Sequence, residues 1–252
     1  MKMWSGRFRQ PLDAQFERWQ RSLPFDQRLL AQEVAASRVH AQALQKAGIL
    51  SASELNAIVE GLAQIAEKAA ASPAFLEDEV AEDVHHFVER KLVELIGETG
   101  YKLHSGRSRN EQIATDLRLY VRHSADQARK QIADLIAVLL ARAEQAGGAA
   151  MPSYTHLQRA EPVLVAHWLL AYVEMLFRDM ERLENCRQRV NRCPLGSGAV
   201  AGATLPLDRQ RMAEQLGFDA PTNNSLGATT DRDFVLEFVH ALFLLSLHLS
   251  RW

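Results

Sequence analysis

The chain has 252 residues, enough for one large domain or two smaller ones, with a formal net charge of -2 and a pI of about 6.5. It has no basic block, which argues against nucleic acid as the main partner. No apolar run reaches the length that a bilayer span needs, and the N-terminus has no signal-peptide segment, so we expect a cytoplasmic protein without membrane contact. Cys186 and Cys193 are too few for a disulfide framework or a four-cysteine zinc site.

The first hundred residues read as short helices separated by Gly, Pro and Ser. Residues 1–25 predict an arm with one short helix between Pro11 and Pro24. The following helices are predicted at 26–47, which Gly48 ends; at 51–70, which a Ser51–Glu54 capping box opens; and at 80–96. Ser22 and Asp26 precede the first of these three helices, and we interpret them as its caps.

Two adjacent histidines, His85 and His86, occupy the third of these helices. Neighbouring helical residues lie about 100° apart, so the pair cannot chelate one metal ion from one face. We therefore predict no metal site here. One ring is expected to face solvent, and the other either packs in the core or serves a site.

A polar loop at residues 102–112 contains Gly106, two arginines, Ser108 and Asn110 just where a long helix is predicted to begin. Free N–H groups at a helix start, together with a guanidinium, form an anion site. The alternative is a Ser-capped helix with a solvated arginine, and the residues alone leave both interpretations open.

Two long helices are predicted, at 108–146 and 162–191, and Gly147 and Gly148 end the first. Between them lies a polar loop at 151–162, with Thr155 and His156. Imidazole titrates near neutral pH, which makes His156 the first candidate for proton transfer. The glycine-rich loop at 194–202 follows, but its spacing is neither that of a dinucleotide fold nor that of a hydrolase elbow.

The last part predicts a short helix at 209–216 and then an apolar helix from Phe234, opened by a Thr230–Asp233 capping box. The chain stops at Trp252 inside that apolar pattern, so we expect the front portion of a longer protein. No strand-like alternation is evident. The sequence thus predicts an all-α fold: a small N-terminal helical domain at 1–103 and a long-helix bundle at 104–252, incomplete at its C-terminal end.

Several motifs in order resemble those of the argininosuccinate lyases of the fumarase/aspartase superfamily. The run Ser-Gly-Arg-Ser-Arg-Asn-Glu-Gln at 105–112 is similar to that family's first signature, and Tyr-Thr-His-Leu-Gln-Arg-Ala-Glu-Pro at 154–162 is similar to the second. Shorter runs at 4–8, 82–85, 194–198 and 230–234 also fit.

The resemblance implies cleavage of argininosuccinate into arginine and fumarate by β-elimination through a carbanion, without cofactor or metal. It implies a homotetramer in which each active site is built from three subunits, with His156 of one near Arg109 of another. It assigns His156 to catalysis, as an acid or a charge stabiliser. Substrate binding falls to Ser108, Arg109, Asn110 and Thr155, with His85 and Ser22 as further contributors.

The family's third signature, which carries a catalytic serine and a substrate-binding lysine, is absent from these residues. We therefore expect the 252-residue chain to be inactive by itself. Two alternatives to the argininosuccinate reaction remain at this stage. One is a crystallin-like structural protein on the same fold, and the other is a sister lyase acting on adenylosuccinate or aspartate.

Overall fold

The computed structural model describes residue 10 and residues 13–252, so the resembling run at residues 4–8 lies outside the described part. Within that part helices dominate, which confirms the all-α class. The helices are α1 Ala14–Gln20, α2 Leu23–Asp26, α3 Leu30–Lys46, α4 Ala52–Ala71, α5 Val84–Ile96, α6 Arg109–Ala146, α7 Val165–Val190, α8 Arg209–Gln215, α9 Ser225–Thr230 and α10 Asp233–Ser250.

The chain forms two compact units. Of the described residues, the first comprises those up to 116 together with 193–229, and the second comprises 117–192 and 230–252. Helix α6 begins in the first unit and continues into the second. The predicted domain division at 103/104 stays a prediction.

The first unit packs α3, α4 and α5 on one another around a core of buried apolar side chains. Ser51 opens α4 as predicted, because its hydroxyl accepts from Glu54 N while the Glu54 carboxylate accepts from Ser51 N. Gly48, with φ of 76°, follows α3 and supplies the left-handed residue that the turn requires. The fully buried large side chains here include Leu44, Ile58, Leu62, Ile65, Phe87 and Leu92.

The second unit is a bundle of long helices, in which α7 packs on α10 and on the later turns of α6. One buried face of α7 presents Val173, Leu176 and Leu183, spaced at about the helical repeat. Ile136 and Leu139 of α6 complete this core. Burial of an apolar stripe, and not helix propensity, stabilises helices of this length.

A β-hairpin replaces the predicted loop between the two long helices. Strand β1, Ala150–Thr155, pairs antiparallel with β2, Gln158–Leu164, and α7 begins at Val165. The expectation of a chain without strands, with α7 starting near 162, was therefore wrong. Its proline pair (Pro152 opposite Pro162) and its bulge between Pro152 and Tyr154 obscure the alternation that would reveal a strand.

The capping prediction for α10 was also wrong. Arg232 occupies the N-cap position without a side-chain cap bond, and Asp231 Oδ1 accepts from Asp233 N at 3.0 Å. In the described part of the chain, α10 is the one helix long and apolar enough to cross a membrane, which corrects the expectation that no apolar run reaches that length. Length and composition alone are weak evidence for a membrane span, because helices in soluble bundles pass the same test.

Candidate active site

The predicted anion loop lies in the first unit, between a 3₁₀ segment that ends at His104 and the start of α6. Gly106 has φ of 65° and turns the chain toward the helix. Ser108 Oγ accepts from Asn110 N at 3.3 Å, and Ser108 N donates to Glu111 Oε1 at 3.0 Å. The hydroxyl therefore caps α6 and still lies at its positive end, so both interpretations of this loop find support.

The two arginines of the loop have different environments. Arg107 points inward, is nearly buried, and donates to Ser37 Oγ at 2.9 Å. Arg109 lies closer to the surface, with Nε 3.4 Å from Asp83 Oδ2 and Nη2 3.9 Å from Glu89 Oε2. Arg109 is thus the guanidinium that an incoming carboxylate can approach, and such an anion competes with two carboxylates already beside it.

A buried glutamate ties this loop to the glycine-rich loop. Glu111 is 1 % exposed, and its Oε2 accepts from Gly198 N at 3.0 Å. Burial raises the pKa of Glu111, and bonds from Ser108 N and Gly198 N oppose that rise. The motif at 194–198 therefore fixes the beginning of α6.

A second buried group joins Glu33 of α3, His85 of α5 and Asp116 of α6. His85 Nδ1 lies 2.7 Å from Glu33 Oε2 and 3.4 Å from Asp116 Oδ2. Burial raises the pKa of Asp116 well above its usual range, and the Glu33 charge raises it further. Burial also opposes the charge on Glu33, but His85 and Arg107 hold the pKa of Glu33 well below its usual range.

These three side chains offer one ligand atom each within 4.8 Å of one another, which makes them the described group that could hold a metal ion. However, Glu33 Oε1 already accepts from Ser37 Oγ at 2.6 Å and from Gln112 Nε2 at 2.7 Å. A hydrogen-bonded network in which one of the two carboxyl groups is protonated accounts for this geometry.

Both histidines of the adjacent pair are buried, so the expectation that one faces solvent was wrong. His85 is 2 % exposed and His86 is 9 % exposed. His86 Nδ1 accepts from Glu82 N at 3.3 Å, and Asp83 Oδ1 accepts from His86 N at 2.6 Å. The first turn of α5 therefore uses one ring as a cap and places the other against Glu33.

Ser22 lies at the N-cap position of α2 but makes no capping bond, so that prediction was wrong. Its hydroxyl donates to Asp26 Oδ2 at 2.6 Å, and Asp26 Oδ1 accepts from Val84 N at 3.0 Å. Burial raises the pKa of Asp26, against the Ser22 hydrogen bond. Ser22 and Asp26 thus lie at the N-terminal end of α5, in the same unit as the anion loop.

Thr155 and His156 belong to the hairpin of the second unit, and both are exposed. His156 and Leu157 have φ of 50° and 60°, as the two central residues of a type I′ turn require. Histidine tolerates the left-handed region, whereas leucine seldom adopts it. Leu157 is also 96 % exposed, so the turn presents His156 outward at a cost in backbone strain.

Sequence reasoning did not predict that Glu33, Glu111 and Asp116 are buried beside the predicted anion loop. For Glu33 a signal was present, since a carboxylate sits between apolar residues on the inward face of α3. A buried acid of that kind needs partners.

With this geometry in place, comparison with known proteins identifies the family. A lyase family model matches residues 6–252. This chain belongs to the lyase family.

Individual relatives of the lyase family agree with that assignment. The chain is 65 % identical over 251 residues to the argininosuccinate lyase of Koribacter versatilis (strain Ellin345), covering 100 % of this chain and 53 % of the relative. It is 59 % identical over 257 residues to the argininosuccinate lyase of Acidobacterium capsulatum, again covering 100 % and 53 %. The chain spans about half the length of the curated relatives it matches.

Among solved structures, the crystal structure of EDDS lyase in complex with formate is similar to this chain. The TM-score is 0.78 at 29 % sequence identity, covering 88 % of this chain and 44 % of that chain.

Proposed function

We propose that the protein carrying this chain cleaves argininosuccinate into arginine and fumarate by β-elimination. The observation that carries the proposal is the 65 % identity, over the whole chain, to a protein named argininosuccinate lyase. The predicted anion loop at residues 102–112, from here on called the substrate loop, supports the proposal because its hydroxyl, amide and guanidinium groups can bind the carboxylates of a succinyl group.

The reaction removes a weakly acidic proton beside a carboxylate and then expels a guanidino nitrogen, leaving fumarate. Negative charge accumulates on that carboxylate in the carbanion. A site for this step must bind two carboxylates, stabilise the added charge, and supply both a base and an acid. No cofactor is required for it.

In this proposal Ser108, Arg109 and Asn110 bind the succinyl end at the positive end of α6. The α6 dipole and the Arg109 guanidinium both favour a dianion there. Arg109 would exchange its neighbours Asp83 and Glu89 for the oxygens of a substrate carboxylate. Its planar guanidinium can donate two parallel N–H groups to such a carboxylate.

The hairpin supplies the proton-handling groups. His156 acts as an acid toward the leaving nitrogen or stabilises the carbanion, and the Thr155 hydroxyl donates to the substrate. The exposure of both residues supports a site completed by another subunit, in a homotetramer. His85 and Ser22 are further contributors: Ser22 beside Asp26, and His85 through the ring atoms that do not face Glu33.

The test uses a chimaera that joins this chain to the second half of the Koribacter versatilis argininosuccinate lyase, with ultraviolet absorbance of fumarate as the readout. We expect activity with argininosuccinate to exceed that with adenylosuccinate, aspartate or EDDS. His156→Gln should lower kcat by about 100-fold or more, since it removes a proton-transfer group. Arg109→Lys should chiefly raise KM, because a lysine cannot bind a carboxylate with two parallel N–H groups.

Lys91→Arg is a matched control for the cationic exchange, because Lys91 pairs with Glu94 away from the loop, and it should leave both constants unchanged. A folded chimaera that releases no fumarate from argininosuccinate would contradict the proposal. A preference for another of the four substrates would reassign the lyase, and a chimaera inert toward all four would favour a structural, crystallin-like role.

A further inference from the structure

Glu33 lies where three helices of the first unit meet, yet the reaction described above makes no use of it. It is 1 % exposed, on α3. Its Oε2 accepts from His85 Nδ1 of α5, and its Oε1 accepts from Gln112 Nε2 of α6 and from Ser37 Oγ. A buried carboxylate with three donors is satisfied, and removing its charge leaves those donors without a partner.

These contacts fall on both sides of the substrate loop. Arg107, directly before Ser108, has Nη2 4.0 Å from Glu33 Oε1 and donates through Nη1 to Ser37 Oγ at 2.9 Å. Gln112 follows Asn110 by two residues and donates to the same carboxylate oxygen. One side chain of α3 thus contacts both flanks of the three-residue segment proposed to bind the succinyl group.

Asp116 completes the group: its Oδ2 lies 3.4 Å from His85 Nδ1, the same ring nitrogen that faces Glu33 Oε2. It is 0 % exposed, and neither of its carboxylate oxygens has a hydrogen-bond donor in the described structure. Two ionised carboxylates so close together in a buried place repel each other strongly, so one of them holds a proton. The donors converge on Glu33, which leaves the proton on Asp116.

We propose that Glu33 is a positioning residue of the substrate loop, holding Arg107 and Gln112 on either side of Ser108–Asn110 and fixing the proton of His85 on Nδ1. With Asp116 neutral, Glu33 carries the negative charge of the two acids. With Nδ1 donating to Glu33, the other ring nitrogen of His85 is the one left to meet a substrate. This role in binding rests on the proposed function, whereas the proton positions and the loop order do not.

The first test needs no catalysis and uses the 252-residue chain. Imidazole ¹⁵N spectra should show the His85 proton on Nδ1, and carboxyl ¹³C shifts should show Asp116 protonated at neutral pH. In Glu33→Gln the His85 signal should move, and amide hydrogen exchange at residues 107–112 should accelerate by about tenfold or more, since charge-assisted bonds are lost.

Asp179→Asn is the matched control. It is the same carboxylate-to-amide exchange at a 1 % exposed position, hydrogen-bonded to His248 and Arg182 in the second unit. It should leave exchange at 107–112 and the His85 signal as they are. If Glu33→Gln does not fold, Ser37→Ala removes the hydroxyl between Arg107 and Glu33 while keeping the carboxylate, and should accelerate the same amides about threefold.

The second test uses the chimaera. Glu33→Gln should raise KM for argininosuccinate by about tenfold while kcat falls less, because the loop binds the ground state as well as the transition state. Uniform acceleration of exchange over the whole first unit would show a merely structural residue and overturn the proposal. Zinc binding that Asp116→Asn abolishes would overturn it too, in favour of a metal site.

A wild-type chimaera without lyase activity would contradict the proposed function alone. The imidazole and carboxyl spectra and the amide exchange rates would still decide whether Glu33 positions the loop.

Discussion

At the scale of single residues, two histidines near the substrate loop are held neutral by their surroundings. His40 Nε2 donates to Ser105 O at 3.0 Å, and the ring is 1 % exposed. Burial, followed by the Arg107 charge, lowers the pKa of His40 to about 3. Burial, followed by Arg107 and Arg109, lowers the pKa of His104 to about 4.

We expect the stability of the first unit to fall as the pH drops below about 6.5. Each histidine has a lower pKa in the folded state than in the unfolded state. Its contribution to the free energy of unfolding is therefore complete above the unfolded-state pKa and is lost as the pH falls toward the folded-state pKa. For His40 alone, the loss at about pH 5 should be ~2 kcal/mol. Urea unfolding at several pH values measures it.

His40→Gln separates this effect from ordinary packing loss. The amide can still donate to Ser105 O but packs less well than the ring, so the variant should lose stability at pH 7.5. Because the amide does not titrate, the stability of the variant should fall less steeply between pH 6.5 and 5. An unchanged slope would mean that His40 does not bind a proton on unfolding in that range.

The two acids of the buried group, Glu33 and Asp116, should stabilise the fold with opposite pH dependences. Glu33, with a lowered pKa, stabilises the fold above its unfolded pKa and ceases to do so as the pH falls through its folded value. Asp116, with a raised pKa, contributes most below its unfolded pKa, and that contribution is lost as the pH rises through its folded value. Both acids can be buried side by side because one is ionised while the other keeps its proton.

At the scale of elements, the glycine-rich loop depends on a close backbone approach at one glycine. A Cβ on Gly198 would lie 2.4 Å from Gly202 O, which is backbone and cannot yield as a side chain can. Gly198 has φ of 60°, and its N–H donates to Glu111. Gly202 has φ of 92° but open space around a Cβ.

Alanine substitutions at these two glycines should separate the cost of a positive φ from the cost of a steric clash with the backbone. Gly202→Ala should cost only the price of a left-handed residue, ~1 kcal/mol. Gly198→Ala should cost a further ~1–3 kcal/mol and disturb Glu111, because the loop must shift to admit the methyl group. Urea midpoints give the comparison, and equal losses for the two variants would contradict it.

At the scale of the whole molecule, the second unit leaves a large apolar stripe uncovered. Leu236, Val239, Phe243 and Leu247 recur at helical spacing on α10, and their exposed fractions run from 45 % to 71 %. Soluble proteins seldom expose contiguous apolar patches of this kind without a partner. The stripe supports the proposed homotetramer, in which helices of other subunits would cover it.

Charges on that stripe should weaken assembly. Leu236→Glu with Phe243→Glu should shift the protein toward smaller species in sedimentation velocity, because assembly would then bury charges without counterions. Val80→Glu, at a 52 % exposed position in the first unit, is the control and should leave the assembly state unchanged. A protein that sediments alike with and without the α10 charges would not use this face.

We also expect the 252-residue chain alone to release no fumarate from argininosuccinate. It spans about half the length of its relatives, and the third signature of the resembling family is not among its residues. The absorbance assay on the purified chain, with the chimaera as positive control, measures this. Turnover by the isolated chain would mean that the base lies within residues 1–252.

The sequence by itself determined most of the helices, because several of their ends depend on residues that act locally. Glycine at 48 and 97, the Ser51 capping box and the Gly147–Gly148 stop all coincide with helix boundaries. It also placed Gly106, Ser108 and the arginines at the start of a long helix, which α6 confirms, whereas anion binding by this loop stays a prediction.

Only the tertiary structure decided the hairpin and the buried acid group. Strand pairing places Thr155 opposite Gln158. It holds His156 and Leu157 in the left-handed conformation, which neither residue type predicts. Glu33 meets His85 and Gln112 across 52 and 79 residues of chain. Local propensity carries no information at such separations, and the charge of a buried acid depends on which groups the fold brings to it.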